Sequence, residues 1–131
     1  MIPVTQTRTG PDGNCFAACL ASLLETSLWK VTDFHGDGDV FLDQVADFLL
    51  PYGLMYLQVP PDDPVLERMF RAGLMAFHII EGISPRGGPH AVVGLNGEMV
   101  WDPHPEDGTG RGLVHVECFG ILASRCIGPA R

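Results

Sequence analysis

The spacing of apolar residues changes along this chain, and the change constrains the fold more than any single residue does. Up to about residue 72, most apolar side chains recur three or four positions apart, the period of an amphipathic helix. From about residue 75, they run in short continuous or alternating stretches separated by turn residues, which is typical of β-strands. A helical first half and a β-rich second half predict an α+β fold, with N-terminal helices packed on an antiparallel β-sheet.

Local signals place the individual elements. The predicted elements are a β-prone stretch at 4–7, a helix from about Cys15 to Glu25 capped by Asn14 or Asp12, a helix through 41–49, a strand at 54–59, a short helix at 65–71, a strand at 75–81, a hairpin at 89–103 and a strand at 113–122. In the first helix, the buried side is expected to hold Phe16, Leu20, Leu23 and Leu24. A second side of smaller residues, Cys15, Ala18, Cys19 and Ser22, is expected to face a cleft.

Length and composition limit the class of protein. The 131 residues, 46% of them hydrophobic, predict a single domain over residues 1–131 that buries its own core. A formal net charge of −8 disfavours a nucleic-acid partner, because nonspecific affinity for phosphates depends on Lys and Arg. A peptide or protein substrate is easier to accommodate. No apolar run is long enough to cross a membrane and no signal peptide is recognisable, so we expect a cytoplasmic protein.

The four cysteines are expected to be reduced thiols in that compartment: Cys15, Cys19, Cys118 and Cys126. The sequence holds no C-x-x-C motif and no H-x-x-x-H pair, so the ligand spacing does not favour structural zinc. We therefore expect neither a metal nor another cofactor. The sequence carries no signal for an oligomeric state.

Cys15 lies where a turn rich in Gly, Pro and Asp changes abruptly into helix-forming apolar sequence. A thiol on the first turn of a helix lies near unpaired backbone N–H groups and the positive end of the helix dipole, which favour a thiolate. A cysteine nucleophile also needs a base and a group that orients the base. We therefore take Cys15 as a candidate nucleophile, although lone buried cysteines are more often structural.

Residues 89–103 predict a hairpin with His90 near its start and Asp102 near its end. A two-residue turn at Asn96-Gly97 places the two side chains on opposite faces, whereas a three-residue loop, or another feature that shifts the pairing by one, brings them to one face. The sequence permits both. Pairing of His90 as base with Asp102 as orienting carboxylate requires the shifted register; His104 and Asp107 are alternative orienters. Both faces are otherwise apolar, which predicts a covered, central strand pair.

Four segments carry a further signal, and they begin, in chain order, at Gln6, Gly13, His90 and Val100. They resemble the papain-like cysteine peptidases, most closely the C39-like bacteriocin-processing branch, and also small bacteriophage and bacterial proteins with Gly-Asn-Cys-Phe and Asp-Pro-His-Pro signatures. The resemblance implies a papain-like fold, with Cys15 as nucleophile, His90 as base, Asp102 as orienter and Gln6 as oxyanion donor. Gln6 lies nine residues before Cys15, further than in that family, so the loop through Pro11 and Gly13 is expected to bulge. The matching segments are Gln6, Gly13-Asn14-Cys15-Phe16-Ala17-Ala18-Cys19-Leu20-Ala21, His90-Ala91-Val92-Val93-Gly94 and Val100-Trp101-Asp102-Pro103-His104-Pro105.

These residues predict a cysteine hydrolase that cleaves a peptide or isopeptide bond through an acyl-enzyme thioester. Two alternatives remain open. With the same catalytic groups, attack of an amine instead of water on the thioester gives a transglutaminase-like acyl transferase; an amidase is a further enzymatic alternative. A peptidase-like module that binds a peptide without cleaving it, such as a phage protein that captures a host factor in the host cytoplasm, needs no reactive thiol.

Overall fold

The computed structural model describes residues 1–74, 76–106 and 110–125. The helices and strands lie close to the predicted positions; residue 75, at the expected start of one strand, and Cys126 lie outside the described residues. The helices are α1 (Cys15–Leu24), α2 (Gly38–Leu49) and α3 (Pro64–Arg71). The strands are β1 (Leu54–Val59), β2 (Phe77–Ile83), β3 (Pro89–Leu95), β4 (Glu98–Trp101) and β5 (His115–Ser124).

The five strands form one sheet in the order β1-β5-β2-β3-β4, and every pair of neighbours is antiparallel. The predicted α+β layout is confirmed at this level. None of the helices in the described part of the chain is long and apolar enough to span a membrane.

Helix α1 is buried on all sides. Every residue from Phe16 to Ser22 is buried, so the prediction of a small-residue side facing a cleft is wrong for all but the first residue. The Phe16 ring packs edge-on against Phe34, Phe41 and Tyr56. Complete burial of an apolar side chain contributes about 1.5–3 kcal/mol. The helix is therefore the centre of the core, and Cys15 lies where that core reaches the surface.

The N-terminal segment is extended but forms no strand, which corrects the prediction for residues 4–7. Its backbone bonds to α1 instead, because the Ile2 N–H donates to the Ser22 carbonyl and the Val4 N–H donates to Ser22 Oγ. The Val4 carbonyl accepts from Trp101 Nε1 at 3.0 Å. This segment thus joins α1 to the end of β4.

The β3–β4 hairpin closes with the two-residue turn. Asn96 and Gly97 have positive φ angles of 51° and 87°, as a type I′ turn requires, and Leu95 pairs with Glu98. The register then shifts, because Gly94 pairs with Met99 whereas Val93 pairs with Trp101. This bulge adds one residue to β4.

The bulge decides where Asp102 points. Side chains alternate between faces along a strand, so one additional residue moves everything after it to the opposite face. With Val93 opposite Trp101, the residue that follows β4, Asp102, lies on the same face as Val92 and His90. A shift of the pairing by one therefore occurs, through a bulge rather than a three-residue loop.

The expectation of a covered, central strand pair is right for β3 and wrong for β4. Residues 90–94 of β3 are buried, but β4 forms the edge of the sheet. Met99 and Val100 are each 46% exposed. The apolar pattern could not distinguish an edge strand from a central one, because both hairpin strands carry similar side chains.

Candidate active site

The candidate nucleophile is held at the first residue of α1, with its side chain partly exposed. The following residue, Phe16, anchors this end of the helix in the core. Residues further along α1 are sealed inside the protein, including Cys19, which is completely buried. Cys15 is therefore the only α1 thiol within reach of a substrate.

His90 and Asp102 form a direct pair. The Nε2 atom of His90 lies 2.8 Å from Oδ1 of Asp102, and the two residues are only 5% and 3% exposed. A carboxylate can only accept, so Nε2 carries the proton in this contact. The bulge in β4 moves Asp102 to the face of the hairpin that carries His90. The predicted pairing of the two side chains is therefore present.

Backbone groups hold the Asp102 carboxylate in place. Its Oδ1 also accepts from the His104 N–H at 2.8 Å, and its Oδ2 accepts from the Gly112 N–H at 2.6 Å. Arg111 Nη2 donates to the carbonyls of Asp102 and His104. Sequence reasoning missed Arg111 and Gly112, because nothing in the pattern links them to a residue ten positions earlier. The alternative orienter Asp107 lies outside the described residues.

The charges of this pair follow from its contacts. Burial lowers the pKa of His90, but the hydrogen bonds and charges of Asp102 and Cys15 outweigh burial and raise it from 6.5 to about 9. Burial raises the pKa of Asp102, whereas hydrogen bonds from His90 and from the Gly112 and His104 N–H groups lower it to about 2. At neutral pH the pair is an imidazolium and a carboxylate.

The Cys15 side chain hydrogen-bonds to His90 and is one of the groups that raise the pKa of the imidazole. Since Asp102 occupies Nε2, the nitrogen left for the thiol is Nδ1. The structure therefore brings together three of the four predicted site residues, Cys15, His90 and Asp102.

The N-terminus of α1 is not closed by a side chain. Of the two predicted caps, Asn14 does occupy the N-cap position, but its side chain makes no capping hydrogen bond; Asp12 belongs to a 3₁₀ turn at Gly10–Asp12. The first N–H groups of a helix have no partner within it. The backbone N–H of Cys15 is among them, at the point where a developing oxyanion needs a donor.

Gln6 is 4% exposed and lies beside the Asp102 segment, because its backbone N–H donates to the Pro103 carbonyl at 2.8 Å. Its Nε2 donates to the Arg8 carbonyl at 2.7 Å, which leaves the second N–H of the amide for another acceptor. The Oε1 atom has no hydrogen-bond partner among the described residues. The loop before Cys15 bulges as expected, through the 3₁₀ turn Gly10–Asp12.

The other histidines differ in their relation to the site. His104 is buried with its ring edge-on to His90 at 6.3 Å, so it lines the site as well as supplying its backbone N–H. His78 has a structural role, because its Nε2 accepts from the Gly97 N–H and thereby holds the hairpin turn. His35 and His115 are exposed.

The two other described cysteines are poor nucleophiles. Burial, together with the charges of Cys15, Asp102 and Glu81, raises the pKa of Cys19 well above its ordinary value. Burial and the neighbouring Glu81 raise the pKa of Cys118 to about 12. The environments of the described thiols therefore single out Cys15.

A groove of about 490 Å³ opens beside the first turn of α1. Asn14, Ala17, Trp29 and Val31 are among the residues that line it, whereas Cys15, His90 and Asp102 are not. Trp29 is 81% exposed. The groove is large enough to take one or two side chains of a peptide.

No protein-family model matches this chain, and neither curated proteins nor solved structures give a significant match. Among the residues that the structure describes, no group of three or more His, Cys, Asp or Glu side chains is placed to hold a metal ion.

Proposed function

We propose that this chain is a papain-like cysteine hydrolase, resembling the C39-like peptidases, that cleaves a peptide or isopeptide bond. The observation that carries the proposal is the series Cys15–His90–Asp102, in which a partly exposed thiol at a helix start contacts an imidazole held by a buried carboxylate. A helix bearing the nucleophile beside a sheet bearing the base is the papain-like arrangement that the sequence motifs imply.

In this mechanism, His90 holds the proton as an imidazolium, and the Cys15 thiolate attacks the substrate carbonyl carbon. The carbonyl electron pair moves to oxygen, where the backbone N–H of Cys15 and the second side-chain N–H of Gln6 stabilise the charge. When the tetrahedral intermediate collapses, the C–N bond breaks and His90 donates its proton to the leaving amine. The product is a thioester on Cys15.

Water then completes the reaction. The neutral His90 takes a proton from water, which attacks the thioester carbonyl and releases a carboxylic acid and the Cys15 thiolate. Asp102 stabilises the imidazolium each time it forms, which is consistent with the pKa of about 9 for His90.

Alkylation with iodoacetamide tests the reactive thiol directly. At pH 6 we expect Cys15 to be modified well before Cys118 and Cys19, because His90 is cationic at that pH and the pKa of each of the other two is raised. Peptide mapping by mass spectrometry identifies the modified residues. Slow labelling at similar rates on all cysteines contradicts the proposal and favours a module that only binds peptides.

Replacing Gln6 with alanine tests the oxyanion donor. We expect kcat for peptide cleavage to fall roughly 10²- to 10³-fold, the usual effect of removing one such donor. Gln58→Ala serves as the matched control, since the Gln58 amide bonds to Glu81 on the exposed surface. Unchanged kcat in Gln6→Ala removes Gln6 from the site while leaving the assignment of the nucleophile intact.

A further inference from the structure

Asn14 stands at a position where its side chain ordinarily closes a helix. An asparagine at the N-cap usually accepts a hydrogen bond from the second or third N–H of the helix and stabilises it. Here the side chain makes no such bond, although the residue is only 9% exposed. The Asn14 side chain bonds to other groups instead, and those groups indicate its role.

All of the side-chain bonds of Asn14 go to the segment that carries Gln6. Its Oδ1 accepts from the Thr7 and Arg8 N–H groups, each at 3.0 Å, and its Nδ2 donates to Thr7 Oγ1 at 2.8 Å. Its backbone N–H donates to the Arg8 carbonyl at 3.2 Å. Asn14 thus fastens residues 7 and 8 to the start of α1.

This fastening reaches Gln6 through a shared acceptor. The Arg8 carbonyl accepts from the Asn14 N–H and also from Gln6 Nε2 at 2.7 Å, so it sets the orientation of the Gln6 amide relative to α1. On the other side, the Gln6 N–H is bonded to the Pro103 carbonyl. The segment from Gln6 to Arg8 is therefore held between the loop of Asp102 and the helix of Cys15.

We propose that Asn14 is a positioning residue for the oxyanion site of this enzyme. By bonding to Thr7 and Arg8 it orients the Gln6 amide beside the start of α1, where the Cys15 N–H has no partner within the helix, so that both donors are available to one oxygen. The proposal rests on the hydrolase function proposed above.

Comparing two reactions of the Cys15 thiol distinguishes a role of Asn14 in the oxyanion site from a general effect on the thiol. Peptide hydrolysis forms an oxyanion, whereas alkylation by iodoacetamide displaces iodide and forms none. In Asn14→Ala we expect kcat for hydrolysis to fall about 10²-fold, as for loss of an oxyanion donor, with KM little changed. The alkylation rate of Cys15 at pH 6 is expected to stay within about threefold of the wild-type rate, because its dependence on the thiol and His90 is unaffected.

Asn14→Ser keeps the test valid if the alanine variant folds poorly. A serine hydroxyl caps helices well, but it is too short to bond to both Thr7 and Arg8. We expect Asn14→Ser to match or exceed the melting temperature of Asn14→Ala and still to hydrolyse peptides slowly. Asn14→Asp retains acceptors for both N–H groups and is expected to recover part of the activity.

Gln44→Ala is the matched control, because the Gln44 amide fastens the His35 backbone in a similar way without bonding to Gln6, Arg8 or Cys15. Wild-type hydrolysis by Asn14→Ser, or a parallel fall of hydrolysis and alkylation in Asn14→Ala, overturns the positioning role alone. Absence of both peptide hydrolysis and selective Cys15 alkylation in the wild-type protein overturns the hydrolase function and this role with it.

Discussion

Replacing Cys15 with alanine is expected to abolish peptide cleavage, reducing it to the background rate. Among the thiols that the structure describes, the variant lacks the one that interacts with His90, and no acyl-enzyme can form without it. We expect the fold to be retained, because Cys15 is partly exposed and lies at the end of α1 rather than within the core. The measurement is cleavage of a peptide panel followed by mass spectrometry, with circular dichroism to confirm folding.

Cys118→Ala is the control for this experiment. Cys118 is also a partly exposed thiol, but its Sγ donates to Glu81 and it lies on β5, away from His90. We expect this variant to cleave peptides as the wild-type protein does. Peptide cleavage at the wild-type rate by Cys15→Ala would end the proposed mechanism, since no other described thiol contacts the imidazole.

Replacing Asp102 with asparagine is expected to lower kcat roughly 10²- to 10⁴-fold, the range that acid–base catalysis supplies. The carboxylate accepts three N–H groups, from His90, His104 and Gly112. An asparagine amide has only one oxygen, so at least one of these donors must face an N–H group. A mispaired buried donor costs about 1–3 kcal/mol, and we expect a lower melting temperature as well.

The pH dependence distinguishes this effect from simple loss of structure. His90 loses its proton as the pH rises through about 9, so wild-type activity is expected to decline on that alkaline side. In Asp102→Asn the carboxylate no longer favours the imidazolium while burial still opposes it, and the decline is expected at lower pH. An alkaline limb that stays near pH 9 in the variant contradicts the assignment of Asp102 as the partner of His90.

His104→Ala provides the comparison for Asp102→Asn. This change removes a ring that lies beside His90 but keeps the backbone N–H that bonds to Asp102. We expect a smaller loss of kcat than in Asp102→Asn and an alkaline limb that remains near pH 9. If His104→Ala moves that limb and Asp102→Asn does not, the orienting role belongs to His104.

The His90–Asp102 pair also makes the free energy of unfolding depend on pH. The directions of the two pKa shifts determine the sign of that dependence. The raised pKa of His90 means that the stabilisation is complete below about 6.5 and is lost as the pH rises through about 9. The lowered pKa of Asp102 means that it is present above 3.8 and is lost as the pH falls through about 2. The stability advantage of the wild type over Asp102→Asn is therefore expected to shrink between pH 7 and pH 10, as measured by urea unfolding.

Local chemistry made most of the elements predictable. The turn before Cys15 and the helical period after it placed the start of α1 correctly, because backbone turns and helix periods are encoded in adjacent residues. The Asn-Gly pair likewise placed the turn of the β3–β4 hairpin. The candidate nucleophile, base and acid were all identified from sequence, and the structure brings the three together.

Contacts outside the individual elements explain why the predicted helix cap and the predicted N-terminal strand did not form. Asn14 has the sequence signature of a helix cap, yet its side chain bonds to Thr7 and Arg8, which compete successfully with the helix N–H groups. The N-terminal segment reads as a strand but finds its partners on α1 and Trp101. In each case partners outside the element outweighed the local preference.

The sequence by itself determined which groups are available: a thiol at a helix start, an imidazole and a carboxylate on one hairpin, and an amide upstream of the thiol. Only the tertiary structure decided that the thiol, the imidazole and the carboxylate meet. The alternation of side chains along a strand has a period of two, so a single bulged residue in β4 selects whether Asp102 faces His90 or points away from it. The bulge depends on pairing between strands, and residue order alone leaves both faces equally accessible to Asp102.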